Sequence, residues 1–235
     1  MDVGRQIQRY TRMCLLEAPV VGEFATRNYS TQELRQIATR HHAEVRTFID
    51  LKLPSRMRLC PSNAIRAKEF FWTIYGEEQG RFVIERNHAT VFKRFCNAIG
   101  IDDQTLEREY EGYWPNFRYL LTEPPSTTAV VRELAISYAW ESAIATIADP
   151  LGATVVRLQN ELEVASEDLR YFSDHLVIDE SHAERALSAL TTYLADDDLI
   201  RFALSSIHRT LIDENPWRLT LVAKEASSHS SSLLM

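Results

Sequence analysis

The chain has 235 residues, with 26 Lys+Arg against 33 Asp+Glu and a formal charge of −7. Hydrophobic residues make up 45% and charged residues 25%, a globular balance that excludes a mainly disordered chain. The acidic sign argues against a general nucleic-acid surface, and no apolar run approaches the roughly 20 residues that span a bilayer. Glycine is scarce, at 7 residues, and neither GxGxxG nor GxxxxGK[ST] occurs, so a glycine-built nucleotide loop is excluded as well.

The N-terminal stretch MDVGRQIQRYTRMCLLEAPVV carries charges throughout and lacks the apolar core of a signal peptide. The three cysteines, Cys14, Cys60 and Cys96, are widely spaced and form no CxxC pair. A cytoplasmic protein is expected. Ser30 or Thr31, with Glu33 following, predicts an N-cap. The helix it opens runs through LRQIATRHHAEVRTFIDLKL, with apolar residues at three- and four-residue steps, and is expected to end at Pro54. Pro61-Ser62-Asn63 opens a second helix, which stops near Gly80. A third runs from about Asn87 to Ala98 and ends at Gly100. Asp102 or Asp103 caps a fourth, bent at Pro115. Pro124-Pro125-Ser126-Thr127 leads into a long helix, expected to close at Asp149-Pro150. Further helices are predicted at about 153–164, 167–193 and 197–213. No segment alternates as a strand does. The expectation is all-α: one compact domain, 1–225, of seven to nine helices, followed by a flexible tail at 226–235.

The segment YFSDHLVIDESHAERAL carries the chemistry. His175, Asp179 and His182 stand at i, i+4 and i+7, a helical stripe about 60° wide. The neighbours Leu176, Val177, Ile178 and Ala183 are apolar, so the stripe borders a buried face. A mixed His/Asp set suits iron or manganese, with no cysteine nearby to favour zinc. Upstream, Glu77-Glu78 precede His88 by about ten residues, with Glu85 between. Glu141 lies in an apolar window, TAVVRELAISYAWESAIATI. A carboxylate there is either paired or cation-bound, or else lies on an exposed stripe with Arg132 and Glu133. Glu78, His88, Glu141 and the three α-helical stripe residues together make an inventory sufficient for two metal ions.

On these pieces the chain resembles the haem-oxygenase-like di-iron oxidases and oxygenases, relatives of the TenA and PqqC folds. The matching pieces are EEQG at 77–80, His88 in NHATVFKRFCNAIGID, Glu141, and H-x3-D-x2-H at 175–182. STQELRQIATRHHAEVRTF resembles that family's first long helix, and the likeness covers roughly residues 30–195. The resemblance implies a haem-oxygenase-like bundle and two Fe(II) ions held by Glu78, His88, Glu141, His175, Asp179 and His182. Glu78 is chosen over Glu77 on the E-x-G spacing, and Glu85 is an additional candidate. It further implies dioxygen as co-substrate, an external reductant, a homodimer, and a small amino-acid-like substrate of natural-product metabolism. Conversion of a tryptophan-type amino acid to a nitrile is the specific reaction expected. Other di-iron oxidations, a metal-free TenA-like enzyme and a helical binding module are the alternatives.

Phe70, Phe71, Trp72, Tyr75, Phe92, Tyr138, Trp140, Tyr171 and Phe172 are candidates for a pocket wall, although aromatic stripes at helical spacing are usually core. Tyr110, Tyr113, Trp114 and Phe117 are candidates for an interface. An arginine fork for a substrate carboxylate is expected, but the sequence does not rank its arginines. His41, His42, His208 and His229 have no motif partner and are expected to be structural or exposed.

Overall fold

The computed structural model describes residues 2–18 and 30–213. The expected tail at 226–235 and His229 lie outside the described residues. The helices are α1 (Val3–Glu17), α2 (Thr31–Thr47), α3 (Leu53–Leu59), α4 (Ile65–Glu78), α5 (His88–Ala98), α6 (Asp103–Tyr113), α7 (Tyr119–Thr122), α8 (Thr127–Thr146), α9 (Ala148–Glu161), α10 (Arg170–Thr191) and α11 (Asp197–His208). No strand occurs among the described residues, and no described helix is long and apolar enough to cross a membrane. The fold is an all-α bundle.

Short polar side chains start most of these helices by taking up orphan backbone N–H groups. Ser30 accepts from Glu33 N–H while the Glu33 side chain reaches back to Ser30, a full capping box. Asn87, Asp102, Ser126 and Asp196 cap α5, α6, α8 and α11 in the same manner.

Two expected breaks fall elsewhere. Pro54 does not end the first long helix. A π turn at Phe48–Lys52 carries α2 into α3, and Leu53 N–H reaches five residues back to the Phe48 carbonyl. The widened turn accommodates the proline ring at the start of α3. Asp149-Pro150 does not close α8 either. That helix stops at Ile147, and Pro150 sits in the first turn of α9, where a missing N–H removes no helical bond.

The apolar interior is divided. One cluster joins α4, α8, α10 and α11 through residues such as Phe71, Leu134, Ala135, Ala186, Leu190 and Ile207. A second joins α2, the π turn, α5 and the start of α10 through Val45, Ile49, Val91, Phe92, Phe95 and Tyr171. Helix α10 belongs to both, with Tyr171 in one cluster and Ala183 in the other. His175, Asp179 and His182 occupy the stretch between, so a polar seam runs where the two clusters meet. The aromatic group that is a candidate for an interface is half-buried and makes contacts within its own chain. The Arg46 guanidinium lies 3.8 Å over the Tyr110 ring and the Lys52 ammonium 3.9 Å over Phe117.

Candidate metal centre

Helix α4 ends on Glu78 and α5 begins on His88, so the loop between them sets the relation of these two side chains. Gly80, Arg81 and Phe82 take φ of 61°, 55° and 65° in succession, a left-handed turn. A Cβ on Gly80 would lie 2.3 Å from the backbone carbon of Arg86, so only glycine fits. Asn87 closes the loop by donating to the Gln79 amide oxygen at 2.7 Å while capping α5. The outcome is Glu78 Oε2 at 2.9 Å from His88 Nδ1, with both residues buried.

Helix α8 contributes Glu141, and α10 contributes His175, Asp179 and His182. The six side chains form two groups of three. Ligand atoms of Glu78, His88 and His175 lie within 4.8 Å of one another, and so do those of Glu141, Asp179 and His182. The α10 stripe is thus shared between groups. His175 faces one and Asp179 the other, because four residues advance about 6 Å along a helix.

Two of these atoms, Asp179 Oδ2 and His88 Nδ1, are buried without a hydrogen-bond partner. Glu78 comes close to His88 Nδ1 but off the line of a hydrogen bond. A sealed polar atom of this kind is costly, and a cation held within each group would satisfy the donors of that group. The donor set is oxygen and imidazole nitrogen without thiolate, which fits iron. Glu78, His88 and His175 match the two-His, one-carboxylate composition of non-haem ferrous sites.

The imidazoles are held from behind. His175 Nδ1 lies 2.7 Å from the Tyr171 carbonyl oxygen, which fixes its proton there and leaves Nε2 for the site. His182 Nε2 lies 2.9 Å from Glu77 Oε2, and Nδ1 lies 3.5 Å from Glu141 Oε2. Arg185 clasps the same Glu77 carboxylate with both Nη atoms, at 3.3 and 2.9 Å. Glu77 and Glu78 therefore divide the work: Glu78 enters a group and Glu77 stands behind a histidine. Glu85 is exposed in the connecting loop and joins neither group.

Burial lowers the His175 pKa to about 4, so the imidazole is neutral and its nitrogen free to coordinate. Burial, together with the Glu141 carboxylate, raises Asp179 to about 8. Burial disfavours charge on His182 and His88 too, but Glu141 outweighs it at His182 and Glu78 at His88, and both pKa values rise. Glu78 is held below the usual carboxylate range: burial opposes ionisation, and His88, His175 and His182 overcome it.

A cleft of about 660 Å³, counting its open mouth, adjoins the groups. Glu78, Glu141, His175 and Asp179 form one side of it. Of the nine aromatic residues expected near the ligands, Trp140 and Tyr171 line it, joined by Phe48 from the π turn. The others lie elsewhere: Phe71 is in the core and Trp72 is 58% exposed. His41, which has no motif partner in the sequence, also lines the cleft, and its Nε2 lies 2.9 Å from the Tyr171 hydroxyl. No sequence spacing links residues 130 positions apart, so this pair was not legible. The stripe of Glu133 and Glu141 on α8 is buried, not exposed. All three cysteines are buried and unpaired, and none lines the cleft.

The family model described as iron-containing redox enzyme matches residues 34–212. A crystal structure from Shewanella denitrificans, of a domain of unknown function with a haem oxygenase-like fold, aligns with a TM-score of 0.58 at 16% identity. The alignment covers 97% of this chain and 93% of that one. That likeness bears on the fold alone. No curated protein matches the chain.

Proposed function

The chain belongs to the iron-containing redox enzymes, which makes it an oxidoreductase, and from that premise we propose that it is a non-haem, dioxygen-dependent di-iron oxidase or oxygenase. Its substrate is a small, amino-acid-like molecule. The observation that carries this reading is the division of six buried donors into two groups of three, with Asp179 Oδ2 left without a hydrogen-bond partner. Glu78, His88 and His175 would hold one ferrous ion, and Glu141, Asp179 and His182 the other. When bound, such a pair supplies electrons for the reduction of dioxygen.

The chain's own residues set the conditions. Tyr171 and Glu77 fix the orientation of His175 and His182, so His175 turns Nε2 and His182 turns Nδ1 toward the donor groups. Three protein donors per group leave positions for exogenous ligands. Phe48, Trp140 and Tyr171 give the cleft aromatic walls that favour a flat apolar body beside the donors. No cysteine lines the cleft, which argues against thiol chemistry of the TenA kind. Conversion of a tryptophan-type amino acid to a nitrile is therefore the first reaction to assay.

The test is an anaerobic ferrous titration of metal-free protein, then mixing with oxygen and a panel of amino and fatty acids. About two irons per chain and substrate-dependent oxygen uptake are expected. His175→Ala and Glu141→Ala strike different groups, and each should lose one iron. Ferrous uptake no greater than in a variant lacking both groups contradicts the proposal.

A further inference from the structure

We propose that Arg56 is the subsite that seats the substrate's carboxylate, which makes the substrate a small carboxylic acid oxidised within a few bonds of that group; this rests on the di-iron reading above. Arg56 lies on α3, just past the π turn, and lines the cleft. Its side chain is 5% exposed. Nε donates to Glu133 Oε2 at 2.9 Å and Nη1 to Ser137 Oγ at 3.1 Å. A guanidinium has five N–H donors, these two contacts use two of them, and the residue lines the cleft.

The charge of Arg56 is also only partly matched. Glu133 is shared, because its Oε1 accepts from Arg132 Nε at 2.9 Å. Arg132 in turn spans both oxygens of Glu123, at 2.9 and 2.6 Å. A buried guanidinium lining the cleft is complementary to a carboxylate, through two parallel charge-assisted hydrogen bonds.

Position then sets the chemistry. Ser137 precedes Glu141 by four residues on α8. A guanidinium touching Ser137 therefore stands about one helical turn, ~5.4 Å, from the level of Glu141. A carboxylate seated on Arg56 brings the atoms next to it up to Glu141 and Asp179, while Phe48 and Trp140 cover the body beyond. Lys52 also lines the cleft, with its ammonium 3.9 Å over the Phe117 ring. Glu44 lies three turns back along the α2–α3 wall and repels an anion from that end.

Binding of three probes to metal-free protein tests this, because no metal then attracts the carboxylate. L-tryptophan and indole-3-propionate carry the carboxylate, and tryptamine lacks it. Calorimetric titration should find both acids about ten- to hundredfold tighter than tryptamine. Arg56→Gln should erase the preference. The double variant Arg56→Gln/Glu133→Gln removes both partners, leaves no unpaired buried charge, and should erase it too while keeping the wild-type melting temperature. Equal affinity for acid and amine, no binding of any probe, or a preference that survives in the double variant overturns the assignment. Ferrous uptake by the same samples tests the metal reading separately: a carboxylate preference without iron binding would sink the di-iron reading and leave Arg56 as an acid-binding residue.

Discussion

Two buried polar clusters lie on one face of α8, about two turns apart, and they are completed differently. At Glu133 the chain supplies its own cations: Arg56 and Arg132 each hold one oxygen of the carboxylate. At Glu141 the neighbours are Asp179 and His182. No guanidinium enters that group, and Asp179 Oδ2 is left without a partner. Burial of a carboxylate is therefore not the mark of the site, since Glu133 is the more buried of the two, at 3% exposure against 9%. The mark is that no guanidinium answers Glu141 and Asp179: an imidazole, His182, is their partner, and Asp179 Oδ2 has no hydrogen bond.

The contrast is open to attack, and the largest effect is expected at its structural end. Glu133→Ala leaves Arg56 buried without its carboxylate and should cost about 3–5 kcal/mol in denaturant unfolding. Glu141→Ala in metal-free protein removes a like charge beside Asp179 and should cost far less. Equal losses would erase the distinction. Next, Glu77→Gln weakens the hold on His182 without touching either group's donors. Ferrous affinity should fall about ten- to hundredfold while the melting temperature of metal-free protein barely moves. Gly80→Ala forces a Cβ toward the Arg86 backbone at a positive φ and should cost at least about 2 kcal/mol. It should displace Glu78 from His88, so titration would find one iron and not two.

The smallest effect is a pH dependence, of roughly 1–2 kcal/mol, in metal-free protein. Asp179 is raised to about 8, so its stabilising contribution is full below about pH 4 and is lost as pH rises toward 8. His88 and His182, also raised, lose theirs above about 6.5. His175 and His42, lowered to about 4, contribute fully above 6.5 and lose that contribution as pH falls toward 4. Metal-free protein should be most stable near pH 6.5 and decline toward 8. Bound iron keeps Asp179 ionised, and the decline should vanish. A decline that persists in loaded protein would place the iron elsewhere.

Much of this was legible in the chain because it is local. Caps such as Ser30 with Glu33 and the H-x3-D-x2-H stripe are written within one or two helical turns, and helix geometry alone puts the stripe residues on one face. The order Glu78, His88, Glu141 and then the stripe carried the resemblance to an iron family. What escaped depends on contacts across the fold. Nothing near Pro54 announces that a π turn will absorb it. The E-x-G spacing favours Glu78 as the ligand, but nothing near it announces that Arg185 will draw Glu77 behind His182. Arg56 is one arginine among many until Glu133 and Ser137, some 80 residues later, bury it beside the cleft.

The most direct test of two three-donor iron groups is anomalous scattering at the iron edge from crystals loaded anaerobically with ferrous ion. Two peaks are predicted, one among Glu78, His88 and His175 and the other among Glu141, Asp179 and His182. No peak at either group, with iron bound elsewhere or absent, would contradict the account.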